Sequence, residues 1–259
     1  MALIKTPEEI ESMRKGGALL SRALGAAVEA VRPGVTLREL DEIAENVILE
    51  GGGKPSFKGY QPSPDDTPFP STVCASVNSE IVHGLGNRDL ELKEGDIIGL
   101  DIGCWVEGLC TDMAVTVPVG EVSDDIKKLL QVTRESLMKG VEAAKAGNTI
   151  KDISRAVEAH VKPHGYGIVR ALVGHGVGHA VHETPHVPNF VSERYPEIPI
   201  EAGMCLALEP MLGMGGDHRV DTAKDGWSIV MSDGSLGAHF EVSIAIGADK
   251  TEILTPLPV

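Results

Sequence analysis

The heptapeptide Gly34-Val35-Thr36-Leu37-Arg38-Glu39-Leu40 returns 113 residues later as Gly147-Asn148-Thr149-Ile150-Lys151-Asp152-Ile153. In the first copy Thr36 and Glu39 form a capping box: the hydroxyl satisfies an early backbone N–H of the helix and the acid reaches back to the cap. The helix it opens is stopped by Gly51-Gly52-Gly53. Upstream, Thr6-Pro7-Glu8-Glu9 is another such box, with proline at the first helical position. Ile10, Met13, Gly17, Leu20, Leu24 and Val28 then follow near helical spacing until Arg32-Pro33-Gly34. Before the second copy a helix is predicted from Ser123 to Ala146. Two helix–turn–helix–strand units at one offset predict a duplicated half-domain, with pseudo-symmetric halves of about 1–119 and 120–259 inside one domain. Ligands from the two halves would meet between them.

Composition narrows the function. At 259 residues, 42% hydrophobic and 24% charged, the chain reads as an ordinary globular protein. Its formal charge of −15 argues against a broad nucleic-acid-binding surface. No stretch approaches the roughly 20 apolar residues that span a bilayer. MALIKTPEEIESMRKG has no apolar core of the secretory kind, so a cytoplasmic location is expected. Cys74, Cys104, Cys110 and Cys205 show no CxxC spacing, and buried thiols are expected rather than a disulfide framework. The longest predicted loop is Gln61 to Pro70, with four prolines.

Five residues of metal-ligand type, Asp101, Asp112, His175, Glu209 and Glu241, each lie in a run that reads as strand or strand edge. Four carboxylates and one imidazole suit a pair of divalent ions such as Mn, Fe, Co or Zn better than a structural zinc, which favours thiolates. Such a centre points to metal-assisted hydrolysis. Asp96–Gly103 and Cys110–Val117 read as two strands of a hairpin. A turn centred between Val106 and Glu107 would set Asp101 directly opposite Asp112, an arrangement that favours a cation between them. The run from Val173 to His182 packs His175, His179 and His182 among three glycines. Those glycines argue against a helical HExxH site and suggest backbone brought close to a ligand or a neighbouring strand; which histidine binds metal stays open at this level. Glu209 and Glu241 sit in apolar runs, with only Arg219, Lys224, His218 and His239 as basic residues between Glu201 and Glu241. A buried carboxylate there costs several kcal/mol unless paired or bound to metal. His83, at a strand end before Gly84, has the chemistry of an acid–base or substrate-positioning group.

The runs SVNSEIVHG (76–84), GLDIG (99–103), CTDMAVTV (110–117), GHGVGHAVHETPHV (174–187), EAGMCLALEPM (201–211) and HFEVSIAI (239–246), in this order and spacing, resemble the type I methionine aminopeptidases. The resemblance covers essentially the whole chain. It implies an α/β (α+β) "pita-bread" fold, a curved antiparallel sheet with outer helices and a pseudo-twofold axis. It also implies that Asp101 chelates one metal, that Asp112 and Glu241 bridge both, and that His175 and Glu209 complete the second. Water activated at that centre would attack the carbonyl of an N-terminal methionine, with Glu209 as proton shuttle, His182 polarising the carbonyl and His83 contacting the leaving residue's amide. Tyr60, Phe69, Cys74 and Trp227, with Phe57 near them, match the methionine pocket. The Tyr60–Phe69 stretch is longer than usual, and Val181 stands where an aromatic residue is common.

The implied substrate is an N-terminal methionine followed by a small residue, with transient ribosome contact and a monomeric enzyme; the acidic charge lends the ribosome contact no support. Type II relatives carry a large insertion between the last two glutamate ligands, and here only 32 positions separate Glu209 from Glu241. Prolidase and aminopeptidase P share the ligands but carry an added N-terminal domain, whereas this chain reaches its first ligand at Asp101. A non-catalytic binding protein on the same fold would have lost ligands, and all five are present.

Overall fold

The computed structural model describes residues 4–258; the first three residues of the N-terminal stretch read above, and residue 259, lie outside them. Helices α1 (Pro7–Ala30) and α2 (Leu37–Glu50) lead into β1 (Lys54–Pro55), β2 (Val73–Val77), β3 (Glu80–Val82), β4 (Ile97–Val106) and β5 (Leu109–Pro118). Helices α3 (Asp124–Ala143) and α4 (Ile150–Val161) follow, then β6 (Gly167–Ile168), β7 (Gly174–Gly176), β8 (Glu183–Val187) and β9 (Cys205–Leu208). The chain closes with β10 (Met211–Gly213), β11 (Val220–Thr222), β12 (Ile229–Met231), β13 (Gly237–His239), β14 (Glu241–Ile246) and β15 (Thr251–Ile253).

The helices begin where their caps are written. Thr6 accepts from the Glu9 N–H and Thr36 from the Glu39 N–H, while both glutamates reach back to the cap nitrogens. At Thr149 the Asp152 carboxylate accepts from the cap N–H at 2.8 Å. Helix α3 stops at Ala143, short of the predicted Ala146, because the chain turns there: the side chain of Asn148 donates back to the Ala143 carbonyl at 2.8 Å. None of the described helices is long and apolar enough to cross a membrane.

The principal sheet is antiparallel and runs β1-β4-β5-β14-β9-β7-β8, with β2 paired to β4 and β15 to β14. Alternation divides its two faces. Ile98, Leu100, Ile102, Met113, Val115, Leu206, Leu208, Val242 and Ile244 point one way and pack with Leu20, Leu24, Leu40, Ile48, Leu137, Ile153 and Val157 of the four helices. Close approach governs some of that packing: a Cβ on Gly17 would stand 2.0 Å from the Leu254 carbonyl oxygen. The opposite face is left for the smaller strand groups and the loops that surround a cavity.

One expectation needs correction. The β4–β5 turn is the two-residue pair Glu107-Gly108, with Val106 opposite Leu109. Asp101 therefore faces Ala114 and Asp112 faces Gly103, so the two aspartates share a face as diagonal neighbours rather than as a direct pair. The cause is backbone conformation. Both turn residues have positive φ, +51° at Glu107 and +84° at Gly108, which matches the strand twist. Glutamate rarely adopts that region, so the turn carries no Asn-Gly or Asp-Gly signal.

Candidate active site

Strands β4, β5, β14 and β7 each present one ligand-type residue to the face away from the helices, and Glu209, one residue past the end of β9, adds the fifth. Asp101 on β4 pairs with Ala114, two residues from Asp112 on β5. Glu241 at the start of β14 pairs with the same Ala114. Ser243 of β14 pairs with Ala207 of β9, two residues before Glu209, and Ala207 also pairs with His175 of β7. The glycines around His175 permit this crowding: a Cβ on Gly174 would lie 2.5 Å from the Ala207 oxygen, and one on Gly176 2.4 Å from the Thr184 oxygen.

All five border one cavity of about 520 Å³. Ligand atoms of Asp112, His175 and Glu241 lie within 4.8 Å of one another. Glu209 reaches the same cluster from the side, its Oε1 3.6 Å from His175 Nε2. Asp101 stands at the other end of the row. Among the described residues no lysine or arginine ion pair reaches any of these carboxylates. Asp101 Oδ1 and Asp112 Oδ1 are buried with no hydrogen-bond partner.

Electrostatics sharpens the point. Burial pushes the Asp101 carboxyl up to about 7 and that of Glu209 up to about 8. Asp112 and Glu241 rise well above the usual carboxylate range, from burial first and then from the neighbouring acids. A set of acids that discourage one another from ionising is what a divalent cation relieves. His175 completes the fit. Its Nδ1 lies 2.9 Å from the Gly176 carbonyl, so that nitrogen carries the proton and Nε2 offers its lone pair to the cluster. Burial holds this imidazole down to about 3, neutral as a ligand must be. Donor type, orphaned oxygens and missing counter-cations all fit a metal centre.

The remaining predicted site residues ring the same cavity: Tyr60, Phe69, Cys74, His83, His182 and Trp227, with Phe57. His182 is at the mouth, its Nδ1 3.2 Å from the Tyr60 hydroxyl and its ring edge-on to His175 at 4.5 Å. Partial desolvation lowers its proton affinity. Phe69 and Trp227 meet edge to face at 5.1 Å. His83 follows directly on β3 with φ +59°, a strained conformation for a side chain facing a cavity, and burial lowers it to about 4. The long proline-rich loop does not separate its two aromatic ends. Gly59 N–H donates to the Phe69 carbonyl at 2.8 Å and Phe69 N–H to the Tyr60 carbonyl at 2.9 Å, so the excursion closes on itself. Val181 is buried in the apolar cluster with Met13, Phe57 and Cys110 and does not border the cavity. The four cysteines are free and buried.

His239, in the sequence only one of four basic residues near the glutamates, is a further site neighbour: its Nε2 lies 3.5 Å from Glu209 and 3.9 Å from Glu241. The available signal was its position two residues before Glu241, on the same face of an extended chain.

Residues 11–248 match metallopeptidase family M24. The chain is similar to a methionine aminopeptidase of Clostridium perfringens, 44% identical over 256 residues that make up 98% of this chain and 99% of that one. Among solved structures it resembles the crystal structure of a methionine aminopeptidase from Thermotoga maritima, with a TM-score of 0.92, 40% identity and coverage of 98% and 99%. A prolidase from Pyrococcus furiosus shares the fold at a TM-score of 0.78 and 24% identity, and there the chain spans 98% of itself but 66% of the prolidase. The architecture is thus the pita-bread arrangement, and likeness in sequence runs with the aminopeptidases rather than the prolidase. The chain belongs to metallopeptidase family M24, in its methionine aminopeptidase branch.

Proposed function

We propose that this chain hydrolytically removes the N-terminal methionine from peptides and nascent proteins, most readily when the second residue is small. The observation that carries this reading is the row of five ligand-type side chains along one sheet face, at the floor of a cavity with an aromatic wall. We read the donor set as a two-ion centre: Asp101, Asp112, His175, Glu209 and Glu241 would together hold a pair of divalent ions, Mn, Fe, Co or Zn. Bound there, the ions supply Lewis acidity for the attacking water and a seat for the substrate's free amine.

The protein's own groups do the rest. Glu209 takes a proton from the attacking water and delivers it to the leaving nitrogen. A Tyr60 hydroxyl that donates to His182 Nδ1, 3.2 Å away, would leave His182 Nε2–H to donate to the oxygen that gains charge as the carbonyl is attacked. His83, neutral in its buried setting, contacts the amide of the second residue. Tyr60, Phe69, Cys74 and Trp227 enclose the thioether side chain, where sulfur–aromatic contacts are favourable. On this reading the chain is a single catalytic domain of two pseudo-symmetric halves, cytoplasmic and monomeric. Its ribosome contact would be transient and local, since a net charge of −15 gives no general attraction to RNA.

The test is release of free methionine from Met-Ala-Ser by chelator-stripped protein, with Mn, Fe, Co or Zn restored singly. Activity regained with metal and lost in Glu209→Gln and Asp112→Asn supports the reading. Cleavage of Ala-Pro in place of Met-Ala-Ser, or no hydrolysis with metal bound, would overturn it.

A further inference from the structure

His239 is a buried, polar side chain that the reaction described above does not use. It is 3% exposed and is not among the side chains that border the cavity. Its Nε2 has no hydrogen-bond partner, yet it stands 3.5 Å from Glu209 Oε2 and 3.9 Å from Glu241 Oε2. An unpaired buried nitrogen costs free energy, and this one is aimed at two ligand carboxylates from behind.

The backbone holds it there. The Thr116 hydroxyl accepts from the His239 N–H and donates to the His239 carbonyl, both at 2.8 Å. Strand β13 is paired to β10 with His239 opposite Met211, two residues after Glu209. Phe240 points to the other side, into a separate hollow on the helical face, so the alternation turns His239 and Glu241 the same way.

Carboxylate oxygens have more lone pairs than a metal consumes, and ligand carboxylates are commonly oriented by a further donor. We propose that His239 is a positioning residue of the metal centre: its Nε2–H reaches the outer oxygens of Glu209 and Glu241 and fixes both carboxylates for cation capture. This rests on the two glutamates being metal ligands, as proposed above.

The experiment titrates Mn2+ into chelator-stripped protein by calorimetry, comparing the parent with His239→Leu, His239→Gln and His239→Asn. The leucine variant should bind Mn2+ about 10- to 100-fold more weakly. Glutamine, whose amide N–H reaches the same point, should stay close to the parent, and the shorter asparagine should fall toward leucine. Thermal unfolding of each metal-free variant reports whether it folds, and the two amide variants decide the matter if leucine is not tolerated. Equal Mn2+ affinity in glutamine and asparagine variants would overturn the proposal. Methionine release is measured separately: a parent whose Mn2+ affinity depends on His239 but that releases no methionine sinks the enzymatic reading alone. A parent that binds no Mn2+ sinks both.

Discussion

Lys5 Nζ lies 2.5 Å from Glu183 Oε2, an ion pair between residues 178 positions apart whose side chains are 1% and 3% exposed. It ties the segment before α1 to the residue after His182. Gly178, at φ +142°, passes close beneath, where a Cβ would meet Lys5 Cε at 2.5 Å. The other Glu183 oxygen accepts from the Ala180 N–H at 3.0 Å, and His179 on the same turn meets Glu9 at 2.7 Å. The chain's beginning thereby braces the turn that carries a cavity histidine. Lys5→Met strands a buried carboxylate and should cost about 3–5 kcal/mol in urea unfolding, whereas the double change Lys5→Met, Glu183→Leu should cost less. A single variant as stable as the parent would refute this account of the pair.

Metal-free protein should lose stability as pH rises from 6.5 to 8. Asp101 and Glu209 have folded-state values of about 7 and 8, above their ordinary 3.8 and 4.5, so the folded state holds protons that the unfolded chain has released. Their adverse effect grows from about pH 4 until the folded groups ionise. His83 and His175, lowered to about 4 and 3, act in the opposite sense, penalising folding only below their ordinary 6.5. Above pH 6.5 the carboxylates act alone. Calorimetric melting of stripped protein should give a lower Tm at pH 8 than at 6.5, with saturating Mn2+ raising it most at pH 8. A flat or rising Tm would contradict the burial of these acids.

His182 and Tyr60 share one contact but not one role. Removing the imidazole in His182→Ala should lower kcat on Met-Ala-Ser by about 100- to 1000-fold, the usual loss for a donor to a developing oxyanion. Tyr60→Phe removes a hydrogen bond of about 1 kcal/mol at a solvent-reached site and should cost several-fold at most. Comparable losses in the two variants would mean that the hydroxyl itself meets the substrate.

Phe69 and Trp227 should separate in the same assay. Phe69 is 3% exposed within the apolar cluster, so Phe69→Ala should destabilise by about 3–5 kcal/mol and weaken methionine binding together. Trp227 is only partly buried at the rim of that cluster, and Trp227→Ala should raise KM with far less effect on urea unfolding. A Trp227→Ala protein with unchanged KM would remove the indole from the methionine wall.

Helix starts, the ligand-type residues and the glycine-rich crossing were legible in the chain because each is written over a few adjacent positions. Thr6, Thr36 and Thr149 cap helices through contacts three residues away, and a carboxylate in an apolar run is conspicuous without knowing its neighbours. Family resemblance extended this reading to the cavity residues. The details it missed depend on pairing between distant strands. Whether Asp101 faces Asp112 or Ala114 turns on a two-residue shift of register, set by moving the turn one position along the chain, which positive φ at Glu107 decided against the local pattern. In the sequence His239 is only one of a few basic residues near Glu241, because Glu209 is brought beside it only when β13 pairs with β10. Lys5 reads as an ordinary surface lysine until the sheet brings Glu183 to it. Backbone propensity acts over three or four residues, whereas the distances within this site are set by sheet register and close packing between segments that lie far apart in the chain.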